Sequence, residues 1–280
     1  MDQKLIDLIV EEVLRQIQGR LSLPEEPRET EDITSAAVRS TPLLDEASDP
    51  EALERMMKTT TARIGVGRCG PRLKTQTLLT LRADHAQARD AVFADVDQAV
   101  LDRLGLFTVQ TRCADKDTFI TRPDLGRLLS DEAVKTLKER CAPNPDVQIF
   151  AADGLSSTAI EANLEKILPV LTDALQAQGL TVGTPFYLRF GRVGAEDHVA
   201  EVLGAKAVCV LIGERPGLAT AESMSAYIVY NAYMGMPEAK RTVVSNIHRN
   251  GTAAVEAGAY IAEVIEKILA QKASGVDLVK

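Results

Sequence analysis

The sequence predicts an α/β fold: a Rossmann-like parallel sheet with crossover helices, preceded by a mostly helical part and a flexible N-terminal extension. Three observations carry that prediction. From Asp146 onward, short apolar runs alternate with helical stretches, which is the pattern of parallel strands joined by helices. Residues 52–145 show mostly helical periodicity. Residues 21–51 hold nine acids against Arg28 and Arg39 and are rich in Pro, Ser and Thr, the composition of a tether. The expected parts are 1–51 (amphipathic helix plus acidic flexible tether), 52–145 (mostly helical) and 146–280 (Rossmann-like).

Each element has its own reason. Ile6, Ile9, Val10, Val13 and Ile17 recur at helical spacing and Gly19 ends the run, so the chain opens on a short amphipathic helix. Packing on its own body and docking on a partner both remain open for it. Residues 75–96 read as a helix and 106–110 as a strand. A turn at Arg122-Pro123-Asp124-Leu125-Gly126 precedes a helix over 130–140, with Asp131 and Glu132 in its first turn as the helix dipole favours. Strands follow at 147–150, 186–190, 207–212, 227–230 and 242–244. Thr158 and Glu161 have the spacing of a capping box for the first crossover helix. The last helix, 253–271, has Ile261, Val264, Ile265 and Ile268 on one face.

Charge and composition exclude several classes. The formal net charge is −8, yet residues from 52 onward balance, so the acidity belongs to the tether. A neutral body without Trp and with 4% aromatics lacks the field and stacking surface of a nucleic-acid binder. No apolar run reaches membrane-spanning length, and Asp7, Glu11 and Glu12 interrupt the first apolar stretch, so neither a membrane segment nor an export signal is expected. Cys69, Cys113, Cys141 and Cys209 are too dispersed for a zinc or redox motif. His85, His198 and His248 fit no triad or metal spacing, and His85 and His198 read as surface residues. No catalytic and no metal-ligating residue is therefore assigned.

In an open parallel sheet, ligands gather beyond the carboxyl ends of the strands. Those exits are Asp153-Gly154-Leu155-Ser156, Gly191-Arg192-Val193, Gly213-Glu214-Arg215-Pro216-Gly217 and Ser245-Asn246-Ile247. Three of the four carry glycine, which admits a large flat ligand close to the backbone or merely shapes a left-handed turn. Glu214 offers an acceptor for amide N–H groups. Gly65-Val66-Gly67-Arg68-Cys69-Gly70 matches a dinucleotide fingerprint literally. It lacks the preceding buried strand and the carboxylate at a strand end, because Asp84 and Asp90 fall within a helix. Arg55, Lys58, Arg63, Arg68, Arg72 and Lys74 form a run of bases without acids, suited to a phosphate, an acidic partner or solvent.

Residues 62–72 (Ala-Arg-Ile-Gly-Val-Gly-Arg-x-Gly-Pro-Arg), Ala83-Asp84-His85, Thr121-Arg122-Pro123-Asp124-Leu125-Gly126-Arg127, Asp153-Gly154-Leu155-Ser156, Gly183-Thr184-Pro185-Phe186, Gly213-Glu214-Arg215-Pro216-Gly217-Leu218, Ser245-Asn246-Ile247-His248 and Gln271-Lys272-Ala273-Ser274-Gly275 closely resemble the small (light) subunit of ethanolamine ammonia-lyase. The likeness runs from Thr60 to the C-terminus; the first fifty-odd residues match only in character. It implies an adenosylcobalamin-dependent ammonia-lyase that makes acetaldehyde and ammonia from ethanolamine by a radical route. It further implies a large TIM-barrel subunit carrying the catalytic residues, while this chain covers the cofactor. Transferred by position, the cobalamin contacts fall on Val193, Glu214 and Val243, with Arg192 and Ser245 beside them. Val243 departs from the Arg-Thr-Cys pattern of the family, so a main-chain contact would survive there and a thiol contact would not. The chain has no Asp-x-His-x-x-Gly, which implies a base-on cofactor. The resemblance also implies a cytoplasmic enzyme housed in a bacterial microcompartment, with the N-terminal helix meeting the shell. An NAD(P)-dependent oxidoreductase using Gly65–Gly70 and a noncatalytic adaptor are the competing readings.

Overall fold

The computed structural model describes residues 35, 38 and 40–279. The chain divides into Met1–Thr41 and Pro42–Lys280, and the architecture below is that of the second unit. The helix expected over residues 6–17 lies outside the described residues. Within the stretch read from composition as tether, the chain reaches the body at Leu43. Leu43 is buried and its N–H donates to Gly65 O at 2.8 Å.

Helix α1 (Pro50–Lys58) starts where Asp49 accepts the Ala52 N–H at 2.9 Å and Pro50 takes a position that needs no donor. Strands β1 (Arg68–Cys69) and β2 (Arg72–Leu73) form a small antiparallel ribbon. Helices α2 (Thr75–Phe93) and α3 (Gln98–Arg103) lead to β3 (Phe107–Gln110). Helix α4 (Lys116–Thr121) is capped by Asp115, and α5 (Asp131–Arg140) by Ser130, whose hydroxyl accepts the Ala133 N–H. Then come β4 (Val147–Ala152), α6 (Ser157–Ala177), β5 (Phe186–Arg189), α7 (Ala195–Leu203) and β6 (Ala207–Gly213). Strands β7 (Met224–Tyr230) and β8 (Thr242–Ile247) and helix α8 (Ala254–Gln271) complete the order.

The main sheet has six strands in the order β3-β5-β4-β6-β7-β8. The first four run parallel, as the alternation predicts, and β3 joins them from upstream of residue 146. Strands β7 and β8 are antiparallel to their neighbours, which the alternation did not foretell. The physical reason is length: residues 214–223 are all that separate β6 from β7, too few for the crossover helix that a parallel return requires.

Alternate side chains of β4 feed two cores. Val147, Ile149 and Ala151 pack with α6 and α8 on one face, while Phe150 and Ala152 pack with α5 and α7 on the other. Phe150 and Phe186 stack with ring centroids 5.2 Å apart, both fully buried. Truncating either ring to Ala should cost about 3–5 kcal/mol. The start of α6 differs from the expected capping box. Its cap is Ser156, which accepts the Ala159 N–H; Thr158 donates to Ala221 O, and Glu161 accepts the Asp97 N–H at 2.8 Å. A hydroxyl two residues earlier wins because it sits at the extended residue that ends the turn. Among the described residues, no helix is long and apolar enough to cross a membrane.

Candidate functional site

The β4 and β5 exits sit at the point where the chain winds to opposite faces, since α6 follows β4 onto one face and α7 follows β5 onto the other. The chain's own residues fill that crevice. Asp153 is 1% exposed, accepts the Gly191 N–H at 3.2 Å and pairs with Lys116 Nζ at 3.2 Å. Burial pushes the Asp153 carboxyl up, and Lys116 opposes the rise. The Lys116 ammonium also lies over the Phe119 and Phe190 rings. Arg192 turns into the same cluster: its guanidinium lies 4.1 Å from the Phe119 centroid and donates to Phe119 O at 2.8 Å. Burial lowers the pKa of that guanidinium from its ordinary value.

Of the other sequence-predicted residues, Val193 lies at the turn after β5, and Glu214, Val243 and Ser245 lie around the end of β6 and on the antiparallel strands. Glu214 is half-buried just past β6, and its carboxylate accepts the Ser223 hydroxyl at 2.6 Å and the Ser225 hydroxyl. Both bonds come from β7 or the residue before it, so the carboxylate is fixed while each oxygen keeps a lone pair for another donor. Val243 is opposite Tyr227 in the β7–β8 register and is 45% exposed. Two positions on, Ser245 is exposed as well. Ser245 and Asn246 together face the single Ser225, a bulge in which Asn246 takes φ +61. Ser245, Asn246 and Ile247, expected as a loop after the strand, lie within β8.

Val243, Ser245, Ser225 and Tyr227 therefore share one face of β7–β8. The opposite face, with Ala226 and Ile228, is buried in the core that includes α8. Helix α7 covers β6 on the open side, and Val193, half-buried at the turn into α7, packs on the same core as Tyr227. The result is a ledge: a strand face with Val243 and Tyr227 flanked by serines, edged by a held carboxylate. Such a surface suits a large ligand with an apolar body and peripheral amides, because Val193, Val243 and Tyr227 offer contact while Glu214 and Ser245 offer polar partners. The chemistry of a corrin fits it. Ser223, Ser225 and Tyr227 were not singled out from sequence; a Ser-x-Ser-x-Tyr alternation entering a strand is the signal that points to them.

Other motifs resolve structurally. Gly70, at φ +58, and Pro71 form the tip of the β1–β2 ribbon, so Gly65–Gly70 follows no buried strand. Asp84, which a dinucleotide site would need for the ribose, is buried and chelated by Arg63 at 2.7 and 2.9 Å. The basic run is largely absorbed within the chain: besides Arg63, Lys58 pairs with Glu54 at 2.7 Å and Lys74 with Asp45. His198 is half-buried, not a surface residue, and its Nδ1 accepts the Leu129 N–H at 3.0 Å. His248 is buried and bonds Asn246 at 2.8 Å. Among the described residues, no group of three or more His, Cys, Asp or Glu side chains could hold a metal ion. A groove of ≈ 680 Å³ opens at the other end of the sheet near Asp146, Lys206, Tyr230 and Lys272. Its Asp146–Lys206 pair is already satisfied at 2.6 Å.

Comparison with known proteins adds a family. The model of the ethanolamine ammonia-lyase light chain (EutC) matches residues 50–279. The ethanolamine ammonia-lyase small subunit of Fusobacterium nucleatum is 58% identical over 248 residues, covering 89% of this chain and 84% of that protein. The small subunit from Clostridium tetani is 56% identical over 247 residues (88% and 84%). That of Clostridioides difficile is 46% identical over 292 aligned positions, spanning 99% of this chain and 100% of its own length.

Proposed function

The chain belongs to the ethanolamine ammonia-lyase light-chain family, and on that premise we propose that its ledge covers one side of an adenosylcobalamin cofactor held against a large subunit. As a small subunit of an ammonia-lyase it has a large partner; that this partner is a TIM barrel carrying the substrate-binding groups is part of the proposal. When bound, adenosylcobalamin supplies a carbon-centred radical that begins the conversion of ethanolamine to acetaldehyde and ammonia.

The roles of this chain's residues follow from their geometry. Glu214, pinned by Ser223 and Ser225, accepts N–H groups from peripheral amides. Val193 and Val243 provide apolar contact and exclude water, which strengthens the polar contacts around them. Ser245 donates or accepts at the margin, and Arg192, whose side chain turns to Phe119, contributes only through its place beside Val193. The reading is base-on, because the sequence offers no Asp-x-His-x-x-Gly histidine to replace the cofactor's own base. The observation that carries the proposal is the pairing of a fixed carboxylate, Glu214, with the exposed Val243 face.

The test is equilibrium binding of cyanocobalamin, read by visible absorbance, to the complex with the large subunit. Glu214→Ala should weaken binding by about 1–3 kcal/mol, the worth of one hydrogen bond to a charged group, while the subunits still co-purify. Unchanged affinity in both Glu214→Ala and Val243→Trp would sink the reading.

A further inference from the structure

We propose that Arg241 is a positioning residue for the ledge: its buried guanidinium fixes the spacing between the β8 segment that presents Val243 and the β5–α7 junction that presents Val193. The inference rests on the reading of the ledge as the cofactor surface.

Arg241 immediately precedes β8, and its side chain is 1% exposed. It donates from Nη2 to Asp197 Oδ1 at 2.9 Å, from Nη1 to Glu196 Oε2 at 3.3 Å and from Nε to Glu238 Oε2 at 2.9 Å. Glu196 and Asp197 form the first turn of α7. The Glu196 N–H in turn donates to Val193 O at 3.1 Å. A single planar group thus links two segments far apart in sequence, each carrying one apolar contact of the ledge. The other oxygen of Glu238 pairs with Arg127 at 3.2 Å, beside Gly126, whose carbonyl accepts the Arg192 N–H at 2.9 Å.

The charge balance makes the link sensitive. Arg241 faces three carboxylates, and burial holds both Glu196 and Asp197 above the usual carboxylate range. Removing the guanidinium deprives the buried Glu196 and Asp197 of their shared counter-charge and breaks the tie between the α7 turn and the start of β8. Helix α7 remains packed on β6, and β8 remains paired with β7, so the elements persist while their separation relaxes. A guanidinium fork has fixed geometry, and lysine reaches fewer of the three acceptors at once.

The experiment uses the full complex with the large subunit and cyanocobalamin as the probe, read by equilibrium dialysis and absorbance. Arg241→Met should raise Kd at least about tenfold, with Arg241→Lys between it and wild type, because a preorganised surface is lost. Asp146→Ala, at the opposite end of the sheet, should lower Tm without moving Kd. A folded, assembled Arg241→Met complex that binds within about twofold of wild type overturns the proposal. So does an Asp146→Ala complex of matching Tm that loses affinity equally. Should Arg241→Met not assemble, Glu238→Gln removes only the outer arm and should raise Kd about threefold; no change there is equally fatal. Loss of affinity in Glu214→Ala with none in Arg241→Met ends the positioning role alone. Insensitivity of both ends the ledge reading beneath it.

Discussion

Lys116 and Asp153 meet at 3.2 Å in a crevice where the carboxylate is 1% exposed. Breaking such a pair from one side strands the other charge. Lys116→Met should therefore cost about 3–5 kcal/mol at pH 8. The sign with pH follows from the raised Asp153 pKa. An acid whose folded pKa lies above its unfolded value contributes stability below the ordinary carboxylate range and loses it as pH rises through the folded value. The penalty should shrink at pH 5, and Lys116→Met with Asp153→Asn should recover part of it. Urea unfolding at the two pH values measures both; an equal loss at each contradicts the assignment.

His198 gives the opposite slope. Burial, with Arg112 nearby, lowers its pKa, and its Nδ1 must stay unprotonated to accept the Leu129 N–H. A base with a depressed folded pKa contributes stability above the ordinary histidine value of about 6.5 and loses it as pH falls through the depressed one. His198→Ala should cost about 1–2 kcal/mol at pH 7.5, from the orphaned Leu129 donor. That gap should narrow toward pH 5. A gap that widens on acidification would show the ring to be protonated in the fold.

Gly154 sits at φ +54, and a Cβ there would lie 2.3 Å from Gly213 O. Both the backbone region and the space exclude a side chain, so Gly154→Ala should destabilise by about 3 kcal/mol. Glu214 follows Gly213 directly, so the same variant should weaken cyanocobalamin binding. Retained Kd with lost stability would separate the turn from the ledge.

The residues just before α1 carry weight of their own. Leu43 is buried, and Asp49 caps α1, so removing residues 1–49 should cost about 3 kcal/mol from the lost cap and apolar burial. If the enzyme is housed in a microcompartment, as the family resemblance implies, deletion of residues 1–41 keeps activity but abolishes co-sedimentation with purified shells. Equal co-sedimentation of truncated and full-length enzyme would count against it.

The parallel half of the fold is legible in the sequence because each buried strand is a continuous apolar run and each crossover has helical period. Strands β7 and β8 are placed correctly but not oriented, since direction depends on loop length and not on strand composition. The ledge is half legible. Glu214 and Val193 announce themselves at strand ends, whereas Ser245 looked like loop because Asn246 bulges the strand. Lys116 was invisible because 37 residues separate it from Asp153; only the fold brings them together. Arg241 was hidden for the same reason, its two α7 carboxylates lying 44 and 45 positions upstream.

The filled seam between β4 and β5 bears on how this architecture is inherited. In doubly wound proteins that notch ordinarily lodges a guest; here an ammonium, two phenyl rings and a carboxylate of the host are wedged into it like a keystone. Under the ledge proposal a guest is held further along, at Glu214 and on the strands that turn back, with Val193 at the near edge. A ligand placed in that notch would meet Lys116 and Asp153, in space the protein has already claimed.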